Sequence, residues 1–177
     1  RFDVSVRLTH GTYQAVAGLL GELPKLELIA NYEPFSIGAI QVIPFPVPHD
    51  AREPAQYVFS DGTRRLGVLT DAGCTTRHME QMLSGVDALV LECNHDLDLL
   101  EQGDYPKPLK DRISGRFGHL DNQSAAAFLS RLDRSNLQHV VAAHLSKHNN
   151  RPELARASLS HVLSCDQSWI QVAEQDL

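Results

Sequence analysis

Ala88-Leu89-Val90-Leu91-Glu92-Cys93-Asn94-His95-Asp96 passes directly from four apolar residues to a polar, ionisable run. A short continuous apolar segment of this kind fits a strand buried on both faces, and the polar group falls where that strand ends. The arrangement recurs: Val68-Leu69 leads to Thr70-Asp71-Ala72-Gly73, and His139-Val140-Val141-Ala142-Ala143 leads to His144-Leu145-Ser146. Pro48-His49-Asp50-Ala51 and Gly118-His119-Leu120-Asp121-Asn122 complete the set. Imidazoles and carboxylates at successive strand ends can converge on one sheet edge and hold a metal that activates water. The pattern predicts an α/β protein with a metal-dependent hydrolase site.

Around these stations the chain divides into short elements. Phe2, Val4, Val6 and Leu8 alternate as on one face of a strand, so the chain opens inside an element. Residues 11–20 suit a short helix, and residues 37–43 a strand ended by a Pro44 and Pro46 turn. Tyr57-Val58-Phe59 and Leu66-Gly67-Val68-Leu69 flank Ser60-Asp61-Gly62, a hairpin with an Asp-Gly turn. Ala125, Ala126, Phe128, Leu129 and Leu132 give residues 122–132 helical spacing. A second helix is predicted over 152–163, with Pro152 in its first turn.

The composition sets limits on function. At 177 residues, 42% hydrophobic and 21% charged, the chain suits one globular domain with a sizeable core. No apolar run approaches the roughly 18 residues of a membrane span, and no segment resembles a signal peptide. Cys74, Cys93 and Cys165 form no C-x-x-C pair, which argues against a disulfide framework or zinc ribbon and suits the reducing cytoplasm. A net charge of −6 excludes coating of nucleic acid by bulk charge. It permits a local basic patch, and Lys107, Lys110, Arg112 and Arg116 supply one against a single Asp111. Taken alone, that patch is a solvated loop.

Each polar station has an ordinary alternative. A lone strand-end histidine is more often a hydrogen-bonded residue than a ligand. Asp71 can bridge two metals or cap a helix beginning near Thr75, and Asp50, Glu53, His95 and Asp96 can be ligands, supports for ligands or caps. His10, His78, His139, His148 and His161 stand outside the stations and take the ordinary reading. No G-x-S-x-G elbow is present, and nothing supports Cys93 as a nucleophile.

Val47-Pro48-His49-Asp50-Ala51-Arg52-Glu53-Pro54, Asp71-Ala72-Gly73, Leu91-Glu92-Cys93-Asn94-His95-Asp96, Tyr105-Pro106 with Leu109-Lys110 and Arg112-Ile113, Gly118-His119-Leu120 with Asn122, and His144-Leu145-Ser146 with Asn149-Asn150 follow one another in order. Together they resemble the WalJ (YycJ) group of metallo-β-lactamase-fold hydrolases, over about residues 10–154. That group is similar in turn to ribonuclease Z and to the phosphodiesterase of the carbon–phosphorus lyase pathway. The resemblance implies an αββα sandwich and two divalent ions, with zinc, manganese and iron all compatible with the ligands. It implies His49 as a ligand of the first ion, Asp71 as the carboxylate bridging both, and His144 as the last ligand of the second. His119 resembles the histidine that contacts the scissile phosphate and protonates the leaving oxygen, and Glu92 a carboxylate supporting it. His95, Lys107, Lys110, Arg112, Asn149 and Asn150 are the implied substrate contacts. The implied activity is phosphodiester hydrolysis on nucleic acid, with an exonuclease of DNA as the specific expectation. A hydrolase of a small ester, thioester or cyclic nucleotide and a noncatalytic regulatory homologue are the competing classes.

One signature of the group, H-x-H-x-D-H, occurs nowhere in these residues. The family places it upstream of the segment resembled by residues 4–20, so the chain is expected to be the larger, C-terminal part of the sandwich. A homo-oligomer or a complementary N-terminal segment is the corresponding partner expectation, because an apolar sheet face would otherwise be exposed.

Overall fold

The computed structural model describes residues 4–21, 23 and 25–174. Phe2 of the anticipated first strand lies outside them. A two-stranded parallel sheet, β1 (Val6–Thr9) and β2 (Leu26–Ile29), is joined through helix α1 (His10–Val16). The helix stops short of Leu20, with Ala17 as its C-cap and a turn over residues 17–20 that includes the weak helix former Gly18.

A seven-stranded sheet forms the body of the molecule, with its strands side by side in chain order. They are β3 (Phe35–Ile37), β4 (Ile40–Pro46), β5 (Ala55–Ser60), β6 (Arg65–Leu69), β7 (Ala88–Glu92), β8 (His139–Ala143) and β9 (Gln171–Val172). Pairings from β3 to β6 are antiparallel, and those from β6 to β9 are parallel. Strands β4, β6, β7 and β8 therefore all point the same way. Their carboxyl ends share one edge, where an open α/β sheet binds its ligands.

Two local expectations change. Strand β4 continues through Pro44 and Pro46, which pair with Tyr57 and Ala55. The Pro44 carbonyl accepts from Tyr32 N–H on the side away from β5, so the missing proline N–H removes no β4–β5 bond. The β5–β6 connection takes four residues, not an Asp-Gly pair. The Asp61 carboxylate accepts from the N–H groups of Thr63 and Arg64 at 2.8 and 2.7 Å, while Gly62 adopts φ 91°.

Right-handed crossovers that advance in one direction leave their helices on one face of the sheet. That face carries helices α2 (Arg77–Leu83), α5 (Asn122–Arg131) and α6 (Pro152–Leu163). Met79, Leu83, Phe128, Leu129 and Leu159 pack with Val58, Leu69, Leu89, Leu91 and Val140 in the buried core. Helices α3 (Leu97–Gln102) and α4 (Lys107–Ile113), which the apolar periodicity does not reveal, fill the connection between β7 and α5. Among the described residues, side chains cap four of the α-helices: Thr9 for α1, Thr76 for α2, Asp96 for α3 and Asp121 for α5. The cap reading thus holds for Asp96 and not for Asp71.

Candidate active site

At the carboxyl edge the loops after β4, β6, β7 and β8, with the loop before α5, surround a cavity of about 410 Å³. His49, Asp50, Asp71, Asn94, Arg112, His119 and His144 contribute to its wall. Backbone bonds lace these loops together: Gly73 N–H donates to the Pro48 carbonyl, Asn94 N–H to that of Leu120, and Ser146 N–H to that of Asn94. A groove of comparable volume, about 440 Å³, lies at the opposite edge, with Ile40, Phe59, Leu66, Ala88 and His139 in its lining. The titratable cluster belongs to the first cavity.

Asp71 is the hub of that cluster. Its Oδ1 stands 3.7 Å from His49 Nε2, 3.7 Å from His144 Nε2 and 3.7 Å from His119 Nδ1. The predicted convergence of His49, Asp71 and His144 is therefore present in the geometry. Asp71 and His144 reach it from left-handed backbone, φ 52° and 58°, which non-glycine residues seldom adopt and which surrounding structure must hold in place. For His144 the holding group is Asn94, whose Nδ2 donates to the His144 carbonyl at 3.0 Å.

Glu92 lies beneath the hub and is fully buried. Its Oε1 accepts from His119 Nδ1 and His144 Nδ1, each at 2.8 Å, and its Oε2 accepts from Ala72 N–H at 2.9 Å and Leu120 N–H at 3.3 Å. Four donors occupy the carboxylate's acceptor sites, so Glu92 orients the imidazoles and has little capacity left for a cation. Burial alone would raise its pKa, but these hydrogen bonds outweigh burial and hold it at about 2. The Glu92 bond likewise raises the His144 pKa against the opposing effect of burial.

The partners also fix the tautomers. His144 spends Nδ1–H on Glu92, and His49 spends Nδ1–H on the Gly118 carbonyl at 3.1 Å, so both Nε2 lone pairs remain beside Asp71. Two imidazole nitrogens and a half-buried carboxylate form a donor set that suits a divalent cation. Asp71, Glu92, His119 and His144 also place one possible ligand atom each within 4.8 Å of one another.

The anticipated substrate contacts separate into groups. Arg112 lines the cavity and donates from Nε to Asp50 Oδ2 at 2.6 Å. Lys107 pairs with Asp111 at 3.0 Å, Lys110 donates to the Glu101 carbonyl, and both stand outside the cavity wall. His95, Asn149 and Asn150 are buried and do not line the cavity. Asn150 exchanges two 2.9 Å amide bonds with Asn122 and donates to the Cys93 carbonyl, while the Asn149 carbonyl accepts from Asp96 N–H. His95 donates through Nδ1 to Asn94 Oδ1 at 3.4 Å, and burial lowers its pKa. These residues brace the loops from behind. Glu53 accepts from Gly11 N–H at the start of α1, and burial pushes the Cys93 thiol far up, out of nucleophile range. Asn94, Leu109 and Ile113 also line the cavity; all three fall inside the motif runs of the sequence, which assigned them no role.

A sheet covered on one face by helices, with imidazoles gathered around a carboxylate at its carboxyl edge, is an arrangement able to hold a metal ion. The chain belongs to the metallo-β-lactamase superfamily: residues 4–145 match the family described as Beta-lactamase superfamily domain. It is 36% identical over 165 residues to exodeoxyribonuclease YycJ of Bacillus anthracis, covering 92% of this chain and 62% of that protein. Exodeoxyribonuclease WalJ of Streptococcus pneumoniae (strain D39) is 33% identical over 129 residues, covering 73% of this chain and 48% of that protein. The chain thus spans between about half and three fifths of the length of these relatives. Among solved structures, Zn(2+)-bound PqqB from Methylobacterium extorquens matches with TM-score 0.72 at 20% identity, covering 98% of this chain and 63% of that one. That likeness establishes the fold. The motif resemblance is borne out at family level.

Proposed function

We propose that this chain carries the larger part of a phosphodiesterase site acting on DNA, as an exonuclease. The observation that carries the reading is Glu92 binding both His119 and His144 beside Asp71, in a chain 36% identical to a protein named exodeoxyribonuclease. His49, Asp71 and His144 would hold divalent ions, two in the complete centre. When bound, such ions supply Lewis-acid stabilisation of phosphoryl oxygens and activation of water.

The protein's own groups divide the remaining work. Glu92 fixes His119 through Nδ1, which leaves His119 Nε2 as the ring atom that offers a proton to the leaving oxygen. Asn94 and Glu92 together keep His144 in its strained conformation. The loop lacing holds the histidines in register, as general acid catalysis requires. No helix among the described residues is long and apolar enough to cross a membrane, and the three free cysteines suit the cytoplasm proposed here.

The test is release of nucleotides from linear DNA by the full-length protein after dialysis against chelator and reloading with zinc, manganese or iron. Metal-dependent release supports the reading. Hydrolysis of small esters with no cleavage of DNA under any of the three metals overturns it.

A further inference from the structure

Helix α4 stands at the mouth of the cavity, and none of its residues is buried. Core packing therefore does not explain its composition, yet Leu109, Arg112 and Ile113 line the cavity together with Asp50 and the metal-site residues. Leu109 remains 37% exposed, an apolar side chain at the entrance to a polar site. Arg112 and Asp50 form an ion pair whose side chains are 68% and 33% exposed. The other oxygen of Asp50 stands 3.4 Å from His49 Nε2, and its backbone N–H is fixed to the Phe117 carbonyl at 3.0 Å. An anionic group is thus held between the guanidinium and the edge of the metal site.

An ion pair this exposed to solvent is held weakly, so a competing anion displaces it at little cost. A phosphate offers more acceptor oxygens and suits the planar guanidinium fork. We propose that Arg112 is a phosphate clamp for which Asp50 stands in when substrate is absent, and that α4 engages the nucleotide beside the scissile bond. Arg112 takes the flanking phosphate, and Leu109 and Ile113 contact the sugar or base. The proposal rests on the nuclease reading and narrows it to substrates with a second phosphate. It also divides the basic patch, because Lys107 and Lys110 are engaged away from the cavity.

The experiment compares a single-stranded oligodeoxynucleotide with bis(p-nitrophenyl) phosphate, which has no flanking phosphate, for wild type, Arg112→Ala, Asp50→Asn and the double variant of the metal-loaded protein. Loss of a charge-assisted contact corresponds to roughly 10- to 100-fold. Arg112→Ala should lower kcat/KM on the oligonucleotide by at least about 10-fold more than on the small diester, mainly through KM. Asp50→Asn should lower the oligonucleotide KM only while Arg112 is present. Equal losses on both substrates overturn the clamp and leave the hydrolase reading standing. Cleavage of the small diester alone by wild type removes the nuclease reading and the clamp together. Should wild type cleave neither, the hydrolase reading falls, and fluorescence anisotropy of a labelled oligonucleotide judges the clamp: affinity unchanged in Arg112→Ala overturns it.

Discussion

Glu92 shows how one buried residue organises several others. Its two histidine partners nevertheless have different proposed duties, acid for His119 and ligand for His144, and metal analysis beside turnover separates them. His119→Ala should lower kcat by roughly 10²-fold with metal content nearly unchanged. His144→Ala should lower metal content and activity together. Loss of metal in both variants would make His119 a ligand. Glu92 also sets an acid limit on stability. Its folded pKa is about 2 against an ordinary 4.5, so its contribution is complete above about pH 4.5 and is lost as pH falls toward 2. The difference corresponds to about 3 kcal/mol. Thermal melts of chelator-treated protein should fall across that window, and Glu92→Gln should flatten the fall. His144 works in the opposite sense: its pKa is raised, so its contribution is present at low pH and lost as pH rises through the folded value.

At the scale of elements, the site depends on loops that approach one another closely. A Cβ at Gly73 would meet backbone atoms of Arg116 and Gly118, which belong to the loop that carries His119. Backbone cannot yield as a flexible side-chain tip does. Gly73→Ala should therefore push the Asp71 and His119 loops apart, destabilise the protein by about 1–3 kcal/mol and weaken metal binding. Calorimetry of unfolding and of metal binding checks both effects, and an unchanged metal affinity would show that the loops move independently. The strands bearing these loops were legible because their apolar runs are short and continuous. Helices α3 and α4 were not, because at six and seven residues each is too short for a helical apolar period to stand out.

For the molecule as a whole, the two faces of the large sheet differ. Val58, Leu89 and Val140 lie side by side under the helices and are buried. On the other face Tyr57, Val68, Val90 and Val141 stand in register and are half-buried, while Leu66 and Ile40 are exposed. Apolar surface of this kind favours association. The 177-residue chain on its own should bind an apolar dye and self-associate at micromolar concentration, and Leu66→Lys should reduce both. A monodisperse monomer without dye binding, seen by sedimentation, would show that the face is adequately solvated.

The sequence by itself determined the strand ends and the chemistry placed on them. Continuous apolar runs followed by His, Asp and Glu are local patterns, and His49, Asp71, Glu92 and His144 could be named from them, whereas His119 follows helix α4 and no strand. Strand direction, register and loop closure are nonlocal, and only the tertiary structure decided them. It placed the carboxyl ends of β4, β6, β7 and β8 on one edge, gave Glu92 two imidazoles to orient, and turned His95, Asn149 and Asn150 inward as braces. It also joined Arg112 to Asp50 across 62 positions of chain. A side chain's partner is set by what the fold brings near it, and spacing along the chain does not carry that information.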